Sequence, residues 1–180
     1  MPHYVAFLRG MNVGGRRVTN DELCARFAAI GMREVRSFRA SGNVIFLSDP
    51  QPEDELQARI EAGLAESLGY GVPTFLRSAE ELAAIVAGQP FGERELERHG
   101  GRPQVALLGS APAARVRGQV LGLAGEEDLL GFGERELYWL PSGPILDSEL
   151  DWKAIERALG PLTMRTMGTV EQIAAKHVGL

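Results

Sequence analysis

The sequence predicts an α+β fold of two ferredoxin-like halves, each a βαββαβ plait followed by one further helix. Three observations carry this. The order of apolar, alternating and amphipathic segments in residues 1–88 is repeated from residue 103 onward. Each half holds two strand-like runs joined by a short glycine-containing turn, Ser41-Gly42 in the first and Gly133-Glu134 in the second. Helix starts are marked by Thr19 with Glu22, Ser78 with Glu81, and Ser148 with Asp151, in capping-box spacing. The polar stretch 89–102 reads as a linker between halves 1–88 and 103–180. The likeness lies in element order rather than in residues, and its simplest account is an internal duplication.

The elements follow in order. Tyr4 to Arg9 is a buried strand, and the helix capped by Thr19 shows Leu23, Phe27 and Ile30 on one face. Val35 to Ala40 and Asn43 to Leu47 form the hairpin. Pro50 and Pro52 open a helix with Leu56, Ile60, Leu64 and Leu68 at helical spacing, which Gly69 ends. Val72 to Arg77 is the fourth strand, and Ser78 caps a helix through Leu82, Ile85 and Val86. In the second half, Gln104 to Leu108 is a strand and Pro112 to Leu123 a helix. Asp128 to Phe132 and Glu136 to Leu140 form a hairpin, and Ser148 to Leu159 is a helix with a thin apolar face. Thr163 to Thr166 is a short strand, and a last helix spans Thr169 to His177 with Thr169 as its N-cap. Phe7, Phe27, Phe38, Phe46, Leu64, Leu107, Val120 and Leu137 are expected in the core.

Composition bounds the class. With 44% apolar and 24% charged residues in 180, the chain reads as a soluble globular protein. No apolar run approaches a membrane span, and the Met1-Pro2-His3 start lacks signal-peptide features, so the expected compartment is the cytoplasm and no membrane partner is expected. The single Cys24 excludes intrachain disulfides and reads as an inert thiol. Net charge is −5, unevenly spread: residues 1–40 hold seven Arg and three acids, a net of +4. A basic segment on an acidic body favours a local anion site over a broad nucleic-acid surface.

That segment centres on Leu8-Arg9-Gly10-Met11-Asn12-Val13-Gly14-Gly15-Arg16-Arg17, which joins the first strand to a capped helix. Glycines let a backbone approach a ligand, a helix N-terminus offers N–H groups, and arginines supply forked donors. Arg9, Asn12, Gly14, Gly15, Arg16 and Arg17 are therefore candidate ligand-binding residues for a small anion or nucleotide phosphate. The competing reading is a structural turn tied to helix termini by Asn12 and Arg9. The phosphate-loop pattern of nucleotide hydrolases is absent, since Val18 follows Arg17. The usual strand order of such a plait, 4-1-3-2, is expected to place this loop beside Ser48-Asp49 and Tyr70-Gly71-Val72, with Ser41-Gly42 at the opposite end.

The residues resemble a bacterial family known as domain of unknown function 1697. Its opening pattern, Leu-Arg-Gly-(Ile/Met)-Asn-Val-Gly-Gly, is matched by residues 8–15, and its Ser-Gly-Asn-Val-(Val/Ile)-Phe pattern by Ser41 to Phe46. Of a C-terminal pattern Thr-Met-Arg-Asn-Trp-Asn-Thr-Val, Thr163-Met164-Arg165 and Thr169-Val170 fit, while Thr166, Met167 and Gly168 depart. Pro144 to Ser148 departs from a Gly-Arg-Ser type run. The resemblance implies paired ferredoxin-like halves and no assigned activity. It singles out Arg165, expected either in a structural salt bridge or as a ligand contact near the first motif or between the halves.

Catalytic residues are not legible, and enzyme activity stays open. His3, His99 and His177 lack metal-ligand spacing, so no metal site or cofactor is expected. Cys24 has no histidine nearby in sequence, Ser41 lacks a nucleophile elbow, and Trp139 with Tyr138 reads as core. The runs Glu53-Asp54-Glu55 and Glu126-Glu127-Asp128 read as solvated surface. Single-stranded nucleic acid on a plait face, stacked on Phe7 and Phe46, is a disfavoured alternative. Another is a protein–protein module pairing through an edge such as Val72 to Arg77. Oligomeric state is not encoded in any legible feature.

Overall fold

The computed structural model describes residues 1–39, 42–100 and 102–178. Ser41, part of the expected first hairpin turn, lies outside them. The chain divides into two compact units, one formed by Met1–Leu82 with the segment from Ile173 onward, the other by Ala83–Gln172.

The first unit runs β1 (His3–Leu8), α1 (Asn20–Ala29), β2 (Arg33–Ser37), β3 (Asn43–Leu47), α2 (Glu53–Leu68), β4 (Thr74–Ser78) and the start of α3 (Ala79–Ala87). Its sheet has the order β2-β3-β1-β4, antiparallel throughout. This is the ferredoxin-like order 4-1-3-2, and it makes β4 an edge strand. Strand alternation sends Ala6, Leu8, Val44, Phe46 and Leu76 against Leu23 and Phe27 of α1 and Leu56, Ile60 and Leu64 of α2. Each fully buried aliphatic side chain of the α2 stripe contributes roughly 1.5–3 kcal/mol. Phe27 and Phe46 meet at 5.5 Å between ring centroids. The helices approach closely because residue 63 is glycine, where a Cβ would lie 2.6 Å from Ile30 Cγ1. Val5, Phe7, Ile45 and Phe75 point to the other face and are buried as well. Phe7 and Phe46, fully buried on opposite faces, offer no open stacking platform.

The second unit repeats the order: β5 (Gln104–Leu108), α5 (Ala114–Leu121), β6 (Leu129–Phe132), β7 (Glu136–Leu140), α6 (Trp152–Leu159), β8 (Leu162–Thr166) and α7 (Met167–Ile173), with sheet order β6-β7-β5-β8. Leu108, Val120, Leu137, Trp139 and Ile155 form its helix-side core. Tyr138 faces away from that core, and its hydroxyl donates to the carbonyl of Ile85 at 2.8 Å.

The stretch 89–102 contains a helix, α4 (Glu93–Arg98), whose start uses Glu95 to accept from the Gly92 N–H at 2.9 Å. Three local expectations are corrected. Helix α6 begins at Trp152 because Asp151, not Ser148, is its cap, accepting from the Ala154 N–H at 3.0 Å. Helix α7 begins at Met167 because Thr166 Oγ1 accepts from the Thr169 N–H at 3.2 Å, so Thr166 occupies the cap position expected of Thr169. Phe38 is half-buried rather than core, since β2 ends one residue before it. No helix among the described residues is long and apolar enough to cross a membrane.

Candidate functional site at one end of the first sheet

The first motif and the hairpin motif meet, contrary to their expected separation. Strand β3 runs antiparallel to β1, with Phe7 opposite Asn43 and His3 opposite Leu47, so the end of β1 lies beside the start of β3. The Leu8 N–H donates to the carbonyl of Gly42 at 2.8 Å. Gly42 has φ +72°, and a Cβ there would lie 3.1 Å from Leu8 Cβ and 3.3 Å from both Leu8 O and Met11 Cγ. Only glycine suits both constraints. Buried Asn43 closes the hairpin by donating from Nδ2 to Phe38 O at 3.0 Å. Ser48 sits at the other end, its N–H reaching Pro2 O at 3.4 Å. The expected proximity to the β4 entrance holds, since the Arg9 N–H donates to Pro73 O at 3.0 Å.

Beyond Arg9 the loop is pinned at several points. Gly10 turns it with φ +72°, Met11 is buried, and Tyr70 Oη donates to Met11 O at 3.3 Å. Asn12 Oδ1 accepts from the Val18 N–H at 3.1 Å, the structural role weighed for that asparagine. Between these points Val13 O accepts from the Arg16 N–H at 3.3 Å, with Gly14 and Gly15 at φ +66° and +81°. Positive φ at both central residues is the signature of a type I′ turn. No atom lies within 4 Å of where a Cβ would stand on either glycine, so the turn faces open space. Arg16 and Arg17 are exposed. The Arg16 guanidinium carbon lies 4.0 Å from the centroid of the Tyr70 ring, a cation–π contact that holds the arginine over one face of the tyrosine.

The helix N-terminus is less available than its sequence suggests. Thr19 Oγ1 accepts from the Glu22 N–H at 3.2 Å, while Glu22 accepts from the Thr19 N–H at 2.8 Å. Those bonds, the backbone one foremost, hold the Glu22 carboxyl below its ordinary value. Asp21 and Glu22 already place negative charge on the first turn. An anion at this end would therefore use the glycine turn and the arginines, not the helix.

Arg9, Asn12, Gly14, Gly15, Arg16 and Arg17 thus share one loop, whereas Arg165 belongs to the other compact unit. It lies on β8 opposite Val105 and donates from Nη1 to Thr163 Oγ1 and to Met164 O, both at 2.8 Å. Burial lowers its guanidinium from 12.5 to about 10, which leaves it charged at neutral pH.

Sequence reading missed Asp128. It is 7% exposed rather than solvated, accepting from Trp139 Nε1 at 2.8 Å and from Ser148 Oγ at 2.9 Å. The signal was the proline- and serine-rich stretch that returns beneath it. Beside Asp128 is a recess of about 420 Å³ lined by Glu126, Glu127, Asp147 and Glu149, whose carboxylates would repel an anion. Among the described residues no group of His, Cys, Asp and Glu is arranged to hold a metal ion.

The solved structure of the conserved bacterial protein SP0830 from Streptococcus pneumoniae aligns with this one at a TM-score of 0.72, covering 97% of this chain and 97% of that chain. Sequence identity is 22%, so the likeness establishes the shared fold. Among curated proteins none matches the chain. The model of a family described as protein of unknown function, DUF1697, matches residues 1–138, the span containing both the arginine-glycine loop and the hairpin beside it, and the chain belongs to that family.

Proposed function

We propose that the protein binds a small phosphate-bearing anion at the turn Val13 to Arg17. One observation carries the reading: the left-handed Gly14-Gly15 turn is open on its outer side and is followed by two exposed arginines, one of them held on Tyr70. Backbone N–H groups of such a turn form a concavity for an anion, and the arginines add charge-assisted donors. Arg9, half-buried at the base of the loop, adds to the local positive potential. Arg165 is not required by this reading. The compartment proposed with this reading is the cytoplasm.

The test is calorimetric titration with inorganic phosphate and pyrophosphate at low ionic strength. Saturable binding is expected, weakened several-fold by Arg17→Ala and more by the Arg16→Ala, Arg17→Ala pair, with a matching loss of ligand-induced thermal stabilisation. Absence of binding, or binding indifferent to the double substitution, would refute the site.

A further inference from the structure

We infer that the anion is the phosphate of a nucleotide whose base stacks on the Arg16 guanidinium. This rests on the anion reading above and narrows it. A guanidinium has two recognition surfaces, an edge of N–H donors that suits phosphate and a flat face that suits an aromatic plane. Tyr70 backs one face of Arg16 at 4.0 Å, and its own hydroxyl is fixed on Met11 O. Because Arg16 is exposed, its edge and its outer face remain available to solvent. The flat face therefore sits next in sequence to the open Gly14-Gly15 turn, so one ligand can present phosphate to the turn and a ring to the arginine. A bare phosphate or sugar phosphate leaves that face unused.

A second arginine–aromatic pair occurs at the same end of the sheet. Arg39 lies 5.4 Å from the Phe38 ring centroid, just beyond β2. In the order β2-β3-β1-β4 it stands three strand spacings, roughly 14 Å, from the β4 entrance that Tyr70 precedes. Free nucleotides and nucleotides within a single strand share the chemistry of the Arg16 platform, and a strand, unlike a mononucleotide, is long enough to span both pairs.

The experiment compares inorganic phosphate, ribose 5-phosphate, adenosine 5′-monophosphate and a short single-stranded oligoadenylate by calorimetry. The mononucleotide should bind about tenfold tighter than ribose 5-phosphate, a difference within the range of one base stack. Arg16→Lys, which keeps the charge and removes the plane, should abolish that preference, so that the mononucleotide and ribose 5-phosphate bind the variant equally whatever loss both share. Tyr70→Phe, which keeps the ring, should preserve it. An oligoadenylate that binds tighter than the mononucleotide assigns the site to single strands, and equal affinity assigns it to free nucleotides; both support the inference. Equal binding of mononucleotide and ribose 5-phosphate, or a preference that survives Arg16→Lys, would overturn it while leaving the anion site standing. Failure of all four ligands would remove the anion site itself.

Discussion

Arg77 and Arg165 hold the same position in two different sheets. Each lies on the fourth strand of its plait opposite a valine of the first strand, Val5 and Val105. Each donates Nη1 to the carbonyl of the residue before it, Leu76 at 2.6 Å and Met164 at 2.8 Å. Arg77 is 1% exposed. Truncating either removes the packing of a long stem and the donor to a main-chain oxygen. Arg77→Ala and Arg165→Ala should each lower stability by about 2–4 kcal/mol in urea denaturation. A loss below about 0.5 kcal/mol at either position would deny it a structural role.

Gly42 is held by two constraints at once, a left-handed backbone and close contact with Leu8 and Met11. Gly42→Ala should cost roughly 1–3 kcal/mol. Gly69→Ala separates the two effects, because Gly69 has φ +80° with nothing within 4 Å of its would-be Cβ, and it should show the smaller loss.

Tyr138 titrates unusually. Burial, with a smaller contribution from Glu136, pushes its phenol from 10.0 up to about 12. The folded state therefore holds its proton where the unfolded chain has released it. This contribution is complete below pH 10 and disappears as pH rises toward 12. Melting temperatures measured across that window should fall less steeply in Tyr138→Phe than in the parent protein. The variant should also be less stable at pH 7 by about 1 kcal/mol, from loss of the bond to Ile85.

Asp128 supports Trp139 and Ser148 together. Asp128→Ala leaves the indole N–H buried without its acceptor and should cost about 1–3 kcal/mol. Trp139 is 1% exposed, so a shift in tryptophan emission should accompany the loss; an unchanged spectrum and midpoint would contradict the contact.

The repeated plait was legible because its signals are local. Thr19 with Glu22 and Ser78 with Glu81 form reciprocal caps, Gly69 ends α2 at φ +80°, and three strands begin and end where alternation placed them: Asn43–Leu47, Gln104–Leu108 and Glu136–Leu140. The failures share a physical reason, which is that a polar side chain has several partners to choose among. Ser148 sits at capping distance from Asp151 yet turns to Asp128, and Thr166 takes the cap because it is the last residue of β8. Where the family resemblance carries an asparagine, Thr166 keeps capping chemistry. The meeting of Gly42 with Leu8 was also missed. It depends on the antiparallel sense of β3 beside β1, a non-local property that strand order alone leaves out. For the loop, sequence offered a structural role for Asn12, which accepts from the Val18 N–H, and missed that Tyr70 supports Arg16 from a distant segment.

The pinning of that loop limits how much disorder a ligand would have to remove. Tyr70 fixes Met11, Asn12 fixes Val18, and the capping box fixes the helix start, leaving Val13, Gly14 and Gly15 as the least constrained stretch. Ordering a residue costs about 1–2 kcal/mol of backbone freedom. Because the Arg16 N–H already closes the turn on Val13 O, an occupant would forfeit at most roughly 3–6 kcal/mol in chain entropy at these three residues, a third of the loss expected had all of Arg9 to Arg17 been slack. Stiffening that stretch further, with a residue that keeps the left-handed turn, should tighten the binding of any anion held there by cutting this entropic loss.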